Sequence, residues 1–300
     1  MLTHGRKRIS LVLVLLLLCT TVLVATPQNA MAITDEPQKV REIIELKEEN
    51  AKVFLLDNGQ VQYDLYPIDI HYRDKDGKLK DIDNSIKEAL GKGDYIFSNT
   101  ANSWYAFFKD SINKENSVRV EKDKYAIEFG LLNSKGSIIE KSNALKNLKC
   151  EFEKTIAEDN RAVVYKNAFD NVDIAYTVLT SGLKEDIILR DKTAQTTFEF
   201  TLKLYNLKLI TNDERTTFLD EDGNEVFSMQ AMYMEDANGK CSNAVDCQIE
   251  KNKDNYKITV SADKDFLNAA DTVFPIKIDP TFNTSGSSYT SDSYVSSANP

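Results

Sequence analysis

Histidine and cysteine, the side chains that most often bind metals or act as nucleophiles, are scarce in this 300-residue chain. It contains two histidines, His4 and His71, and four cysteines. His4 lies in an N-terminal segment that we expect to be removed, so a histidine metal site or a Ser-His-Asp triad would depend on His71 alone. His71 stands beside Tyr72 in an apparent strand, which is typical of an ordinary sheet residue. The sequence therefore predicts no catalytic residues, no metal site and no cofactor.

Carboxylates are abundant, with 47 Asp and Glu residues in the chain. Glycoside hydrolases act through two carboxyl groups that flank the scissile bond. No spacing in the sequence singles out two acids from the rest. A secreted carbohydrate-active β-sandwich enzyme with a carboxylate pair therefore stays an alternative, which two carboxylates placed in one cleft of the folded chain would favour.

Two short acidic stretches resemble the start of a calcium loop, in which alternate carboxylates converge on one cation. They are 74–77, which reads Asp-Lys-Asp-Gly, and 220–223, which reads Asp-Glu-Asp-Gly. A complete loop needs a third ligand before the glycine and a glutamate further on. Both stretches are too short for it, so a hairpin turn is the favoured interpretation and weak surface calcium the alternative. The chain has no Gly-rich phosphate loop.

An aromatic group at 104–108 is the best candidate for a binding surface. It comprises Trp104, Tyr105, Phe107 and Phe108. Such a group is most often part of a hydrophobic core, but aromatic faces also pack on sugar rings. We therefore name these four residues as the possible carbohydrate contact.

The N-terminus has the organisation of a secretory signal. Arg6, Lys7 and Arg8 precede an apolar run over 9–25, and the small-x-small sequence 30–32 follows. We predict a signal peptide over 1–32 with cleavage after Ala32. A membrane anchor would need about 20 apolar residues, more than the run provides. Lipid attachment at Cys19 is disfavoured because Leu18 precedes it where a small side chain is required.

Charge and cysteine content limit the partners of the mature chain. The net charge is -10, and loss of the basic leader makes it more negative. A nucleic-acid partner is not expected, because phosphate binding needs a basic face. Three cysteines remain after cleavage, an odd number that allows one disulfide at most. Cys241 and Cys247 could form it across a short loop, and catalysis by Cys150 would need a histidine partner that no motif indicates.

Hydrophobic spacing predicts one short helix followed by strands. Apolar residues at helical spacing in the segment 33–52 favour a short amphipathic helix. Beyond it the period is two, most clearly over 197–204, where Phe198, Phe200, Leu202 and Leu204 alternate with polar residues. Four tight turns, centred on Asn58-Gly59, Asp76-Gly77, Asp222-Gly223 and Asn238-Gly239, separate apolar segments.

These patterns predict an all-β, mainly antiparallel fold with two β-sandwich-like units. We place the first unit at 53–148 and the second at 149–280. The segment 281–300 is rich in Ser, Thr, Asn and Gly, which indicates a linker, ending in a first strand near Tyr294. Without partners for that strand, this tail should be protease-sensitive.

Four phrases of the sequence, in order, resemble one protein family. The stretches 46–86, 163–189 and 273–281 (VFPIKIDPT) are similar to the N-terminal region of large clostridial and bacillary wall-associated proteins with RHS/YD repeats or a DNRLRE domain. The stretch 292–300 (DSYVSSANP) looks like the first strand of a DNRLRE domain. Since the other strands of that domain are missing, we expect the chain to be a truncated member of this family.

The resemblance implies a secreted, non-enzymatic module at the cell wall, serving display or attachment. The partners it implies are a wall polymer or polysaccharide and downstream domains of the same protein. No membrane association is expected after signal cleavage. Besides the carbohydrate-active enzyme, a further alternative is an anchoring or delivery part of a polymorphic toxin.

Overall fold

The computed structural model describes residues 36–142, 145, 148–212 and 215–284. The predicted signal peptide with its cleavage site after Ala32 lies outside the described residues, and so does the part of the predicted 281–300 linker from 285 onward. Residues Thr281–Thr284, which were predicted as the start of that linker, form a strand. No helix in the described part of the chain is long and apolar enough to cross a membrane.

The regular elements in the first half of the described chain are mostly strands. The strands are β1 Lys39–Glu42, β2 Ala51–Leu56, β3 Val61–Leu65, β4 His71–Arg73, β5 Leu79–Asp81, β6 Lys87–Glu88, β7 Tyr95–Ser98, β8 Tyr105–Lys109, β9 Val118–Lys122, β10 Tyr125–Leu131 and β11 Ile139–Lys141. A 3-10 helix covers Ile44–Leu46, and the helix α1 covers Glu151–Glu158.

The second half adds thirteen strands and one further short helix within the described residues. The strands are β12 Ala162–Phe169, β13 Val172–Val178, β14 Gly182–Leu189, β15 Thr197–Tyr205, β16 Lys208–Thr211, β17 Arg215–Leu219, β18 Glu225–Gln230, β19 Tyr233–Glu235, β20 Cys241–Ser242, β21 Val245–Asn252, β22 Asn255–Ala262, β23 Ile276–Asp279 and β24 Thr281–Thr284. The helix α2 covers Lys264–Asn268.

The chain divides into two compact units, and the first is small. Within the described residues it holds 36–42 and Phe54–Gln62. Here β1 pairs antiparallel with the end of β2, with Lys39 opposite Leu56, and the Lys39 ammonium lies 4.3 Å from the centre of the Phe54 ring. A tight turn at Gly59 then leads into β3.

The second unit holds Ile43–Val53 and the described chain from Tyr63 onward. It contains an eight-stranded sheet in the order β21-β22-β15-β10-β9-β8-β7-β6. An eleven-stranded sheet has the path β11-β12-β13-β14-β24-β18-β17-β16, with β19, β20 and β23 branching from it, and β4 and β5 form a separate hairpin. The pairings are mainly antiparallel, which confirms the predicted all-β class.

Both large sheets share one hydrophobic core within the second unit. Three ring pairs link the facing sheets, with centroid distances of 5.7 Å for Phe108–Tyr176, 5.0 Å for Phe129–Phe282 and 5.7 Å for Phe169–Phe198. Burying one such side chain contributes roughly 1.5–3 kcal/mol. The predicted alternation of β15 is confirmed, since Phe198, Phe200 and Leu202 are all buried in this core.

Each large sheet takes strands from both of the units predicted at 53–148 and 149–280. The eight-stranded sheet combines β6 to β10 with β15, β21 and β22, and β11 joins the eleven-stranded sheet. The separate boundaries at 148 and 280 stay a prediction. In the described residues the two stretches build their sheets jointly.

The prediction of a helix over 33–52 is wrong for the described part of that segment. The structure places β1, the 3-10 helix and the start of β2 within that segment. Val40 is 61% exposed and Ile44 57% exposed, so the apolar spacing that favoured a helix does not reflect a buried face. Pairing of the β1 backbone with β2 satisfies its amide and carbonyl groups instead.

The Asn-Gly and Asp-Gly turns connect hairpins, as predicted, but their loops are longer than the tight turns that were expected. In the loop 236–240 Gly239 has a φ of +84°, while Asn238 stays outside the left-handed region. Asp236 closes the loop by accepting hydrogen bonds from the amides of Asn238 and Lys240, both at 2.9 Å. The acidic loops that start at Asp74 and Asp220 have the same arrangement.

Candidate functional site

A cavity of about 220 Å³ lies in the second unit and is lined by thirteen residues of seven separate stretches. The first group of lining residues is Glu49, Asp69, His71, Tyr72 and Arg73. The second group is Asn102, Ser103, Thr180, Ser181 and Thr284. Ile68, Ile82 and Lys122 complete the lining, so charged, hydroxyl, aromatic and aliphatic groups face one space.

Glu49 is held in the lining by its own backbone. Its carbonyl oxygen accepts hydrogen bonds from the amides of Ile70 and His71, at 2.8 and 2.9 Å. Its carboxylate accepts a hydrogen bond of 2.7 Å from Nε of Arg73. Arg73 also donates to the carbonyl oxygen of Gly77, at 3.2 Å. The guanidinium is therefore already engaged by the protein.

The side chain of His71 contacts the backbone next to Glu49 and helps to fix its position. The side chain is buried, with Nδ1 2.5 Å from the carbonyl oxygen of Glu48 and Nε2 3.2 Å from a carboxylate oxygen of Asp81. The Glu48 contact places the residue next to Glu49. The interpretation of His71 as an ordinary sheet residue agrees with its place at the start of β4.

The loop at 102–104 and the turn at 179–182 are joined by hydrogen bonds from buried side chains. The indole Nε1 of Trp104 donates to the carbonyl oxygen of Thr180 at 2.9 Å, and Nδ2 of Asn102 donates to the same oxygen at 3.0 Å. Asn84 extends this connection, since its Nδ2 donates to the carbonyl oxygen of Leu179 at 3.0 Å. These bonds set the position of Thr180 and Ser181 at the cavity.

Gly182 lets the turn lie close to β24. A Cβ atom at Gly182 would stand 2.2 Å from the carbonyl oxygen of Phe282, which no side chain tolerates. The close approach allows the amide of Thr284 to donate to the carbonyl oxygen of Ser181 at 2.8 Å. A glycine at this position is therefore required to bring Ser181 and Thr284 to the same cavity.

Asp69 and Glu49 set the electrostatics of the cavity. Burial, with the nearby charge of Glu49 as a smaller cause, raises the pKa of the Asp69 carboxyl group. Burial lowers the pKa of the Lys122 ammonium, against the charge of Asp123. Two carboxylates in one cavity meet one requirement of the carbohydrate-active alternative, although Glu49 is engaged by Arg73.

Four polar side chains of the lining make no hydrogen bond or ion pair within the described part of the chain. Two of them, Asp69 and Tyr72, come from the stretch that leads into β4, and the other two, Thr180 and Ser181, from the β13–β14 turn. Together they offer one carboxylate and three hydroxyl groups. Partly buried polar groups that lack a hydrogen bond within the protein are suited to a ligand that brings hydroxyl or amide groups.

The structure buries most of the predicted carbohydrate contact. Trp104, Phe107 and Phe108 are 0%, 3% and 0% exposed, so their ring faces are covered by protein. Tyr105 is partly exposed. Burial is the main cause that raises the pKa of Tyr105, and the neighbouring Tyr72 phenol contributes to it. Of the four residues, Tyr105 is thus near a lining residue of the cavity. Trp104 is outside the lining and holds the cavity in shape through its hydrogen bond to Thr180.

Sequence reasoning missed the cavity as a site, although a signal was present. Nine of its lining residues fall within the stretches 46–86 and 163–189 that carry the family resemblance. The density of ionisable and aromatic residues around 69–73 was a second signal. Neither indicates that the two stretches meet, since that depends on long-range contacts such as the hydrogen bond from Nδ2 of Asn84 to the carbonyl oxygen of Leu179.

The other candidates have structural roles in the described residues. The acidic stretches at 74–77 and 220–223 are hairpin turns, which confirms the favoured interpretation. No group of three or more His, Cys, Asp or Glu side chains is arranged to hold a metal ion within 36–284, apart from the gaps stated above. Cys150, Cys241 and Cys247 are free thiols, so the alternative of a Cys241–Cys247 bridge is not realised.

Comparison with known proteins gives relatives of low identity and no matching family model. A tRNA nuclease WapA of Bacillus subtilis strain 168 is 26% identical over an aligned length of 284 residues, and the match covers 91% of this chain. A tRNA3(Ser)-specific nuclease WapA of Bacillus spizizenii is 26% identical over an aligned length of 270 residues, and the match covers 87% of the chain. The chain spans only 12% and 11% of the lengths of these two relatives.

A third relative is of more similar size. A protein of Geobacillus stearothermophilus named wall-associated protein is 24% identical over 201 residues, which is 67% of this chain and 76% of that protein. The matched region therefore forms most of the Geobacillus protein but only a small part of the nucleases.

These names contradict the prediction that the protein is not an enzyme. Relatives matched along most of the chain are tRNA nucleases by name. That prediction came from a search for catalytic motifs within 300 residues, whereas the nucleases are about eight times longer than the region they share with the chain. The expectation that nucleic acid is not a partner rested on net charge alone. It loses support because these relatives are named for cleavage of tRNA.

Proposed function

We propose that this chain is the wall-associated segment of an exported protein that acts, in its complete form, as a tRNA nuclease. The segment attaches or displays that protein at the cell surface, which corresponds to the anchoring or delivery alternative. The observation that carries the proposal is a match that covers 91% of this chain but only 12% of a tRNA nuclease.

Wall association is supported by the Geobacillus relative. The region shared with this chain makes up 76% of a protein named for its association with the wall. A property named for that protein is therefore reasonably assigned to the shared region. The predicted signal peptide over 1–32 is consistent with export, and the negative net charge favours a soluble secreted segment.

The choice of tRNA is assigned to another part of the complete protein. Relatives named for tRNA(Glu) and for tRNA3(Ser) share the same 26% identity with this chain. If this region selected the tRNA, nucleases of different specificity would be expected to differ in their likeness to it. The finer assignment to the RHS-repeat or DNRLRE-carrying kind rests on the four sequence phrases.

Fractionation of host cells tests the proposal. The protein encoded by the complete gene should be recovered in the wall fraction, and deletion of 36–284 should move it to the culture medium. The purified complete protein should cleave tRNA. Wall recovery that is unaffected by the deletion would overturn the attachment role, and lack of tRNA cleavage would overturn the nuclease assignment.

A further inference from the structure

We propose that the 220 Å³ cavity is a binding site for one unit of a neutral wall polysaccharide, a hydroxyl- or acetamido-bearing sugar. This inference rests on the proposed wall association and deepens it by naming the ligand class. The cavity is smaller than the roughly 300–1,000 Å³ of sites for drug-sized molecules, and its size suits one sugar ring.

The first argument is the set of uncommitted polar groups. Asp69 can only accept hydrogen bonds when ionised, while the hydroxyl groups of Tyr72, Thr180 and Ser181 can both donate and accept. None of the four makes a hydrogen bond or ion pair with the described protein. A sugar hydroxyl group also donates and accepts, so it can pair with every member of this set.

The second argument is the apolar part of the lining. The side chains of Ile68, Ile82 and Tyr72 face the same space as the polar groups. A sugar ring has an apolar face of C–H groups and a polar edge of hydroxyl groups. Such a ring can cover the aromatic and aliphatic surface while its edge bonds to Asp69 and the hydroxyl groups.

Charge argues against a phosphate polymer. The Arg73 guanidinium is engaged by the Glu49 carboxylate and by the Gly77 carbonyl oxygen, at 2.7 and 3.2 Å. The lining carries two cations, Arg73 and Lys122, against the two carboxylates of Glu49 and Asp69, so it lacks the excess of positive charge that binding of a phosphodiester needs. The lining thus disfavours both a wall phosphate polymer and RNA.

The chain has a built-in reporter for this cavity. Its single tryptophan, Trp104, is buried and donates a hydrogen bond of 2.9 Å to the carbonyl oxygen of Thr180. A ligand that contacts Thr180 should therefore change the environment of the indole. The fluorescence of the full chain can be titrated with cellobiose, maltose and N,N′-diacetylchitobiose, with poly(glycerol phosphate) and tRNA as rival ligands.

We expect a saturable fluorescence change with at least one of the disaccharides, at concentrations up to about 10 mM. Tyr72→Ala should weaken this binding by about tenfold or more, and Asp69→Asn by about fivefold. Tyr63→Ala and Asp76→Asn are matched controls, since both residues lie outside the lining. They should leave affinity within about twofold of the wild type. Circular dichroism and thermal unfolding of each variant confirm that it folds.

Three results would overturn the inference. They are no saturable change with any disaccharide, equal weakening by the control variants, and saturable binding of poly(glycerol phosphate) or tRNA in place of the sugars. Wall fractionation separates this failure from failure of the proposed function. A chain that stays with the wall but binds none of the sugars retains its proposed function and loses this site.

Discussion

The indole nitrogen of Trp104 lies 2.9 Å from the carbonyl oxygen of Thr180, 76 positions further along the chain. This bond connects the loop before β8 to the β13–β14 turn, and Thr180 lines the cavity. An aromatic side chain that suggested a surface for sugar therefore acts from the interior. Its indole holds Thr180 in place at the lining of this cavity.

Replacement of Trp104 tests that role. Trp104→Phe removes the indole donor and part of the buried volume, while Asn102 still donates to the Thr180 oxygen. We expect the free energy of unfolding to fall by about 2 kcal/mol, measured by urea denaturation. Tyr105→Phe, at a partly exposed ring in the same strand region, should change it by less than about 0.5 kcal/mol. Similar values for the two variants would contradict the assignment.

Arg190 should be far more important for stability than any exposed cation. Its guanidinium contacts the buried carboxylates of Glu153 in α1 and Asp173 in β13, with Nε 2.8 Å from Asp173. Arg190→Met leaves both acids without this partner, and we expect a loss of about 3–5 kcal/mol in chemical denaturation.

The exposed pair Lys154–Glu151, 3.4 Å apart in the same helix, provides the control. Lys154→Met should cost no more than about 0.5 kcal/mol, because solvent screens that pair. A small effect of Arg190→Met would show that the buried acids find other partners.

Glu185 should make the folded chain less stable as the pH rises. Burial raises the pKa of Glu185 to about 8, outweighing the hydrogen bond of 2.8 Å from the Tyr176 hydroxyl. The pKa of this carboxyl group in the unfolded chain is about 4.3. At pH values between about 4.3 and about 8 the folded state therefore keeps a proton on Glu185 that the unfolded state has lost. Its stability therefore falls with rising pH, by about 1.4 kcal/mol for each pH unit that separates the two values.

Glu185→Gln should remove this fall, so that the variant gains stability relative to the wild type as the pH rises toward 8. Denaturation curves at several pH values between about 5 and about 8 measure it. The exposed Glu250 gives the control variant Glu250→Gln, which should keep the wild-type profile. Parallel profiles for wild type and Glu185→Gln would refute the prediction.

Asp236 should be the most sensitive of the turn aspartates. It is 1% exposed and accepts three backbone hydrogen bonds, from the amides of Asn238, Lys240 and Val273. Asp236→Ala leaves these donors unpaired and should cost about 2–4 kcal/mol in thermal or chemical unfolding. Asp74→Ala, in an exposed loop with two such bonds, should cost about 1 kcal/mol.

The same measurement addresses calcium. Since the turn carboxylates already accept backbone hydrogen bonds, added Ca²⁺ should leave the unfolding midpoint of the wild type unchanged. A clear rise in the midpoint would revive the alternative of a surface calcium site.

The strands were predictable because burial on one face of a sheet imposes a period of two. The alternation of Phe198, Phe200 and Leu202 survives in β15, where all three enter the core. The spacing over 33–52 led to a wrong prediction of a helix, since Val40 and Ile44 are exposed and backbone pairing decides the structure there.

The cavity lay beyond sequence reasoning for a different reason. Asp69, Ser103 and Thr180 are far apart along the chain and meet only through sheet pairing and the buried contacts of Trp104 and Gly182. Local patterns reveal the character of each stretch. They do not reveal which stretches become neighbours.

Sedimentation with purified walls tests the central claim most directly. Walls from the host, stripped of anionic polymers, are incubated with increasing amounts of the full chain, and the bound protein is measured in the pellet. The account predicts saturable binding that Tyr72→Ala weakens by about tenfold and Tyr63→Ala leaves unchanged. A wild-type chain that remains in the supernatant at every protein concentration would contradict it.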